Sequence, residues 1–528
     1  MSFIEEVNRR RTFAIISHPD AGKTTITEKI LFEGSAIREA GEVKGKKGTK
    51  AATSDWMALE KERGVSVTSS VMSFDHKGLR INLLDTPGHK DFSEDTYRTL
   101  VAADSAAMLI DAAKGVEAQT RKLYEVCKLK KMPIFTFANK MDREGRDPLD
   151  LIDDVEKTLN MKCYPVTWPI GIGDRFKGLY HRHEKKLYLY TKGVKEPEVI
   201  KVSGFDDPII EEKVSDPEVF ESFSETTELL EGALDPFSKE EFDQGLVSPM
   251  TFGSAKNNWG VDIFLGLFCE WAPAPRDRKV EEGNWHSAQN KDFSGFVFKI
   301  QANMDKNHRD RVAFIRVCSG TFERGMKVKH QRLDRELRLA YANQFFAGER
   351  ETVDKAYSGD IVGANDTGNF QIGDTITSKS KFSFEPIPRF SPELFGRVNI
   401  KDPLKRKKLN EAVQHLVEEG LIQFFYDPNI GRQDGILGVV GELQFDVLLR
   451  RLQDEYNLEA KLDRLPYSVA RWIFDAETEE PFSECPKGVD RIFLDNYEKP
   501  VVLLESEWDE NWLKRDNPTL KFSLSALG

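Results

Sequence analysis

The sequence predicts a multidomain protein in which an α/β domain is followed by a β-barrel and then by an α+β domain. Length is the first observation: 528 residues make about three domains at roughly 150 residues each. Patterning is the second. Apolar runs that read as buried parallel strands recur before residue 260, and the first leads through a polar loop into a helix. Short strands with glycine turns follow from Phe293, and two stretches of helical spacing follow Lys405.

Composition narrows the class without naming a chemistry. Apolar residues form 39% of the chain, enough for several packed cores, and charged residues form 31%, ordinary for a soluble protein. No apolar run approaches the roughly 18 residues of a membrane helix. The start, Met1-Ser2-Phe3-Ile4-Glu5-Glu6, lacks the apolar core of a secretory signal. Cys127, Cys163, Cys269, Cys318 and Cys485 form no Cys-x-x-Cys pair. They are expected to be single buried thiols in a reducing cytoplasm, not a zinc site or a disulfide frame. The net charge of −12 argues against a coat on bare nucleic acid. A partner that is partly RNA stays open, because local basic patches decide such contacts.

The first domain opens on the strand Thr12-Phe13-Ala14-Ile15-Ile16. Ser17-His18-Pro19-Asp20-Ala21-Gly22-Lys23-Thr24 follows at once, and Thr25 to Phe32 has helical spacing. Strand, loop and helix are the context a phosphate loop requires. Gly22 lets the backbone approach phosphates without a side-chain clash. N–H groups at the helix start face the anion, and the helix dipole favours negative charge there. Lys23 supplies a cation for the β- and γ-phosphates, and the Thr24 hydroxyl is placed to bind Mg²⁺. The predicted cradle runs from Ser17 through Thr25. It departs from the general pattern at its first position, where Ser17 replaces glycine.

Two further motifs follow in order. Leu79 to Leu84 is a strand candidate ending in Asp85-Thr86-Pro87-Gly88-His89. An acid at a strand end can hold Mg²⁺, usually through water. A glycine just after it can offer its N–H to the γ-phosphate, so loss of that phosphate would release the loop. Ile134 to Ala138 is a third strand candidate, followed by Asn139-Lys140-Met141-Asp142. The Asp142 carboxylate can accept from guanine N1–H and the 2-amino group. Adenine has neither donor there and would leave a buried charge unpaired. Asn139 is expected to support this loop and the base edge, with the Lys140 stem against the ring. Ser248 to Ala255 ends a fourth strand-like stretch, from which Ser254 and Ala255 are expected to present backbone N–H to guanine O6. Ser-Ala alone is a common dipeptide; it gains meaning only after the other motifs.

Between the first two motifs stands Ser54-Asp55-Trp56-Met57, leading to Arg63-Gly64-Val65-Ser66-Val67. That segment resembles the first switch of translational GTPases, and Asp85-Thr86-Pro87-Gly88-His89 resembles their second. Most of that superfamily has threonine where Ser66 stands, and serine keeps the hydroxyl that reaches Mg²⁺. With Ser17 at the head of the phosphate loop, the chain looks most like the bacterial peptide-chain release factor 3 family.

The resemblance extends over nearly the whole chain. Phe293 to Ile300 opens a β-rich region and Arg311 to Gly320 continues it, and the region resembles the superfamily's second domain. Lys408 to Gly420, with Gly420 ending the helix, and Ile436 to Leu452 resemble its third. The implied organisation is a P-loop GTP-binding domain over 1–280, a β-barrel over 281–385 and an α+β domain over 386–528. An acidic, partly irregular insertion is expected at about 175–247, read either as solvated decoration or as a ribosome-contacting surface. A translocating relative would need two more domains, and a transfer-RNA-delivering one would be shorter and end in a barrel.

The implied function is ribosome-stimulated GTP hydrolysis that promotes departure of a class-one release factor after peptide release. GTP and GDP are the implied nucleotides. Mg²⁺ would be held by Thr24, Ser66 and Asp85, and His89 would orient the attacking water. Implied partners are the ribosome, through large-subunit RNA and ribosomal proteins, and class-one release factors indirectly. The chain is expected to be a cytoplasmic monomer with no membrane partner. Lys405-Arg406-Lys407-Lys408, Arg309 and Arg311 read equally as RNA-phosphate contacts or as solvated basic residues. Two other functions stay open here: another ribosomal GTPase, of the ribosomal-protection or truncated-translocase type, and a guanine-nucleotide-sensing module with incidental hydrolysis.

Overall fold

The computed structural model describes residues 1–37, 68–194, 196–302, 311–339, 342–346 and 349–526. The first-switch segment through Val67, with Ser66, and Arg309 lie outside the described residues.

Seven strands form the central sheet of the first domain: β1 (Arg10–Ser17), β2 (Ser70–His76), β3 (Leu79–Asp85), β4 (Ser105–Asp111), β5 (Ile134–Asn139), β6 (Lys162–Pro165) and β7 (Val247–Phe252). Their order is β2-β3-β1-β4-β5-β7-β6, parallel except for the β2–β3 hairpin. Alternation within strands shows why they are apolar throughout. Ala14 and Ile16 of β1 join one core with Ala106, Met108 and Ile110 of β4. Phe13 and Ile15 join a second core with Ala107, Leu109, Phe135 and Phe137. Successive side chains point to opposite faces, so two cores, one on each face, demand an unbroken apolar run. The β-strand reading of these segments follows from that burial. Helix α1 (Lys23–Glu33) covers the second face, and α2 (Ser93–Ala102) follows the second switch.

The region at about 175–247 is more regular than its composition predicts. Thr167–Ile170, Gly178–His181, Lys186–Leu189 and Glu198–Lys201 form a four-stranded antiparallel sheet. Helices Pro208–Val214 and Pro217–Ala233 pack beside it, each starting on an Asp-Pro pair. The Asp207 and Asp216 carboxylates accept from N–H groups in the first turn, and a proline at the first helical position lacks only an N–H that would be unbonded anyway. Val219, Phe223, Thr227 and Leu230 are buried at helical spacing, and Trp168 Nε1 donates to Thr226 Oγ1 at 3.0 Å. Acidic residues occupy the outer face, which is why composition suggested irregularity.

The second unit is an eight-stranded antiparallel sheet curled round Phe293, Val297, Ile300, Ala313, Ile315 and Val317. Its longest strands, Ser294–Ala302 and Arg311–Ser319, are buried almost end to end. One face fills the barrel. The other sends Phe296, Phe298, Phe314 and Cys318 into the core of the first domain. A buried polar seam reinforces the contact. Asp104 takes Arg316 on one oxygen and Arg278, at 3.1 Å, on the other. Thr12 Oγ1 donates to Gly359 O at 2.7 Å, and Arg10 Nε to Asp360 Oδ2 at 3.1 Å.

The C-terminal unit is α+β, with a second eight-stranded antiparallel sheet. Helix α3 (Arg406–Glu418) buries Leu409, Ala412, Val413, Leu416 and Val417, the i, i+3, i+4, i+7, i+8 stripe of an amphipathic helix. Gly420, at φ +76°, adopts the left-handed turn that follows it. Helix α4 (Glu442–Asp454) packs beside α3 through Phe445, Leu448 and Leu452. Farther along, Trp472, Phe474, Phe493 and Val501 build a separate core. One sheet therefore carries several separate cores, with Ile473, Val502 and Leu513 forming a further one.

Candidate nucleotide site

The phosphate loop leaves β1 at Ser17 and enters α1 at Lys23. Gly22 caps α1 at φ +102°, and a Cβ there would stand 2.3 Å from Asn139 Nδ2, so backbone sign and packing both exclude a side chain. Lys23 and Thr24 are buried although polar. Lys23 Nζ lies 2.7 Å from Asp85 Oδ1, at the end of β3. The second-switch loop then brings Gly88 over the phosphate loop: a Cβ on Gly88 would touch Pro19 and Lys23 Cε at ordinary contact distances. Thr86 Oγ1 fixes that loop by donating to Ile15 O at 2.6 Å. Ser17 Oγ and His18 Nδ1 are buried with no hydrogen-bond partner among the described residues, so the cradle keeps polar capacity in reserve.

The Asn139–Asp142 segment joins the loop between β1 and α1 directly. Asn139 Nδ2 donates to Ala21 O at 2.8 Å. Its Oδ1 accepts from Lys140 N at 2.9 Å and Ala255 N at 2.8 Å. One amide thus ties together the phosphate loop, the Asn139–Asp142 turn and the loop after β7. Lys140, at a left-handed φ of +72°, reaches Asp20 O at 2.6 Å and Asp111 Oδ2 at 2.7 Å. Burial pushes the Asp111 carboxyl up, but the Lys140 ammonium and the Ala113 N–H outweigh it and hold the group below the usual range. Asp142 Oδ1 accepts from Ser254 Oγ at 2.6 Å.

The N–H groups of Ser254 and Ala255 have partners within the chain. Ser254 N–H is committed to Trp259 O at 3.0 Å, and Ala255 N–H to Asn139. In this arrangement neither N–H is presented to a base; the Ser254 hydroxyl instead orients Asp142. The dipeptide lies beside the base-reading turn, but its donors serve the two loops. Arg311 is also reassigned. It is mostly buried against Asp366 and Glu418, an internal tie between barrel and C-terminal unit, and is not offered to RNA. Lys405, Arg406 and Lys407 remain exposed at the start of α3. Cys485 is exposed, unlike the four other cysteines.

His89 starts the short turn Lys90–Phe92 and opens on a cleft of about 1060 Å³ between the first domain and the C-terminal unit. Its Nδ1 stands 3.3 Å from Asp91 N and 3.2 Å from Asp91 Oδ1. Asp91 itself, Asp111 and Glu117, whose Oε2 lies 3.4 Å from His18 Nε2, complete the site and were not singled out in the sequence. Asp111 was the most findable, being an acid at the end of the apolar run Ser105–Asp111.

Thr24 and Asp85 are both buried, and a hydroxyl and a carboxylate are the hard oxygen donors that suit Mg²⁺. No helix among the described residues is long and apolar enough to cross a membrane.

Comparison with known proteins supplies the family. The Elongation factor Tu GTP binding domain model matches residues 8–274, the Elongation factor G domain 2 model matches 292–379, and the model of the Class II release factor RF3, C-terminal domain, matches 384–514. The chain is 49% identical over 526 residues to peptide chain release factor 3 of Cyanothece sp. (strain PCC 7425 / ATCC 29141), covering 98% of this chain and 95% of that one. Against the protein of that name from Nostoc punctiforme the identity is 50% over 531 residues, covering 99% and 96%. For Listeria monocytogenes it is 49% over 521 residues, covering 98% of each. A crystal structure from Thermus thermophilus shares the fold at TM-score 0.70 and 24% identity, over 92% of this chain and 72% of that one. These matches favour termination over the other functions left open above. A site for guanine nucleotide, a translational second domain and a release-factor C-terminal unit thus occur in one chain, which belongs to the peptide chain release factor 3 family, the GTPases of translation termination.

Proposed function

We propose that the chain hydrolyses GTP when bound to the ribosome, and that the resulting change of shape promotes departure of a class-one release factor after the peptide is freed. The observation that carries this is the joining of base reader and phosphate cradle through Asn139–Ala21 and Lys140–Asp20, with Lys23, Asp85 and Gly88 converging at the far end. Asp142, oriented by Ser254, accepts from guanine. The residues from Ser17 to Thr25 wrap the phosphates, Lys23 meets the β- and γ-oxygens, and Gly88 N–H meets the γ-phosphate. Thr24, Asp85 and Ser66 would hold Mg²⁺, whose chemistry when bound is to neutralise charge gathering on the phosphate oxygens. Hydrolysis is in-line attack by water, so the protein contributes positioning and charge stabilisation. His89, one residue past Gly88 and facing the cleft, orients that water once the ribosome closes on it.

Output is a matter of differential affinity: the shape held with GTP fits one ribosomal state better than others and shifts the population toward it. The setting is the cytoplasm, with the chain acting as a monomer. The deciding experiment compares GTP turnover with and without ribosomes carrying a bound release factor, for the parent and for His89→Ala. The variant is expected to bind GTP normally and to lose ribosome-stimulated turnover by at least roughly 100-fold. Turnover at the parental rate would remove His89 from this role. Parental turnover indifferent to ribosomes would remove the function.

A further inference from the structure

Asp91 makes two contacts that belong to different parts of the molecule. Through its backbone N–H and Oδ1 it flanks His89 Nδ1, at 3.3 and 3.2 Å. Through Oδ2 it accepts the Leu443 N–H at 2.7 Å, across 352 positions of sequence. Leu443 is the second residue of α4, and the position that would normally cap that helix is Gly441, which has no side chain to do so. A carboxylate at a helix N-terminus satisfies an unbonded N–H and opposes the dipole. The first domain therefore caps a helix of the C-terminal unit in trans, using the residue that grips His89.

Gly441 gives independent support. Its backbone is extended, at φ −152° and ψ 163°, a conformation open to any residue. Glycine is required for another reason: a Cβ there would stand 2.0 Å from Asp91 Cγ and 2.2 Å from Oδ1. The absence of a side chain at 441 makes room for the Asp91 carboxylate. Asp91 is 3% exposed, and Phe92 beside it packs on Val447 of α4, so this is a closed joint and not a surface brush.

We propose that Asp91 is a positioning residue that couples the orientation of His89 to the seating of α4, so that hydrolytic competence depends on where the C-terminal unit sits. His89 accepts the Asp91 N–H at Nδ1, with the Asp91 carboxylate beside it. Asp91 in turn is held in place by α4. Withdrawing α4 removes the anchor of the carboxylate and frees the ring to turn.

The inference rests on the proposed role of His89, and the test separates the two. Ribosome-stimulated turnover is measured for Asp91→Ala, Asp91→Asn, Gly441→Ala and the Asp91→Ala/Gly441→Ala pair, with His89→Ala alongside. Fluorescent GDP affinity and hydrogen exchange at the Leu443 amide are measured on each. Asp91→Ala is expected to lower kcat by roughly 10-fold or more, to leave GDP affinity within about twofold of the parent and to speed exchange at Leu443. Asparagine in place of Asp91 keeps the shape and an acceptor for Leu443, so Asp91→Asn is expected to recover kcat to within about threefold. Gly441→Ala touches neither His89 nor nucleotide, yet it is expected to lower kcat, and the double variant to be no worse than Asp91→Ala alone.

If His89→Ala loses turnover while Asp91→Ala and Gly441→Ala keep it, the coupling is overturned and the role of His89 stands. If His89→Ala keeps turnover, both fall. Fully additive losses in the double variant also overturn the coupling. Should Asp91→Ala fail to fold, Gly441→Ala decides on its own: an exposed Leu443 amide with parental kcat sinks the proposal.

Discussion

A carboxylate can accept two hydrogen bonds from one guanine edge, through N1–H and the 2-amino group, the role proposed for Asp142, whose Oδ1 accepts from Ser254 Oγ. Replacing it with asparagine puts an amide NH₂ opposite the 2-amino group, donor against donor. Xanthine carries a carbonyl at that carbon and would accept from the amide. Asp142→Asn is therefore expected to weaken GTP binding by roughly 100-fold and to strengthen XTP binding, read from competition against labelled GTP. Unchanged preference would show that the base is read elsewhere. His181 provides a pH readout at the same scale. Burial lowers its pKa to about 4, Glu184 opposes that shift in part, and its Nδ1 accepts from Glu184 N at 3.2 Å. The folded pKa lies below the unfolded value of about 6.5, so the unfolded chain binds the proton first. Stability attributable to this group is complete above about 6.5 and falls as pH drops toward 4. Urea midpoints between pH 7 and 5 should fall less for His181→Gln than for the parent.

At the level of elements, legibility followed how locally each one is determined. The strand–loop–helix of residues 10–33, the Asn139 turn and the α3 stripe were readable, because periodicity and turn chemistry act within a few residues. Leu416 is fully buried in that stripe, and Leu416→Ala is expected to cost about 2–5 kcal/mol, measured by thermal melting of the full chain. A loss under about 1 kcal/mol would mean that α3 is not seated as described. What the sequence hid depends on distant partners. Ser254 and Ala255 were found, but their N–H bonds to Trp259 and Asn139 were not. Nothing local marks Gly441; only the carboxylate of Asp91 explains it. The sheet at 167–201 escaped because its strands are only four residues long, and Thr167–Ile170 and Gly178–His181 are buried throughout, leaving no alternation to read.

Across the whole molecule, Asp104 is the point on which two bodies are fastened. It is 2% exposed and serves both Arg316 and Arg278. Removing one member of a buried ion pair strands the rest in a poor solvent for charge, at a cost of roughly 3–5 kcal/mol. Asp104→Ala is expected to lower the melting temperature and separate the barrel's unfolding from that of the first domain in calorimetry. A single unshifted transition would show that the apolar seam of Phe296, Phe298 and Phe314 suffices. At the other joint, Arg98 of α2 meets the carbonyls of Glu419 and Gly420 and Asp91 meets α4.

Ser69 sits where these bodies meet. Its carbonyl is held by Lys299 of the barrel, while its N–H donates to Asp95 Oδ2 of α2 at 2.8 Å. A single peptide neighbourhood is thus gripped from two sides at the downstream end of the first switch. A displacement at Ser69 would therefore be felt by the barrel and by the helix that follows His89 together.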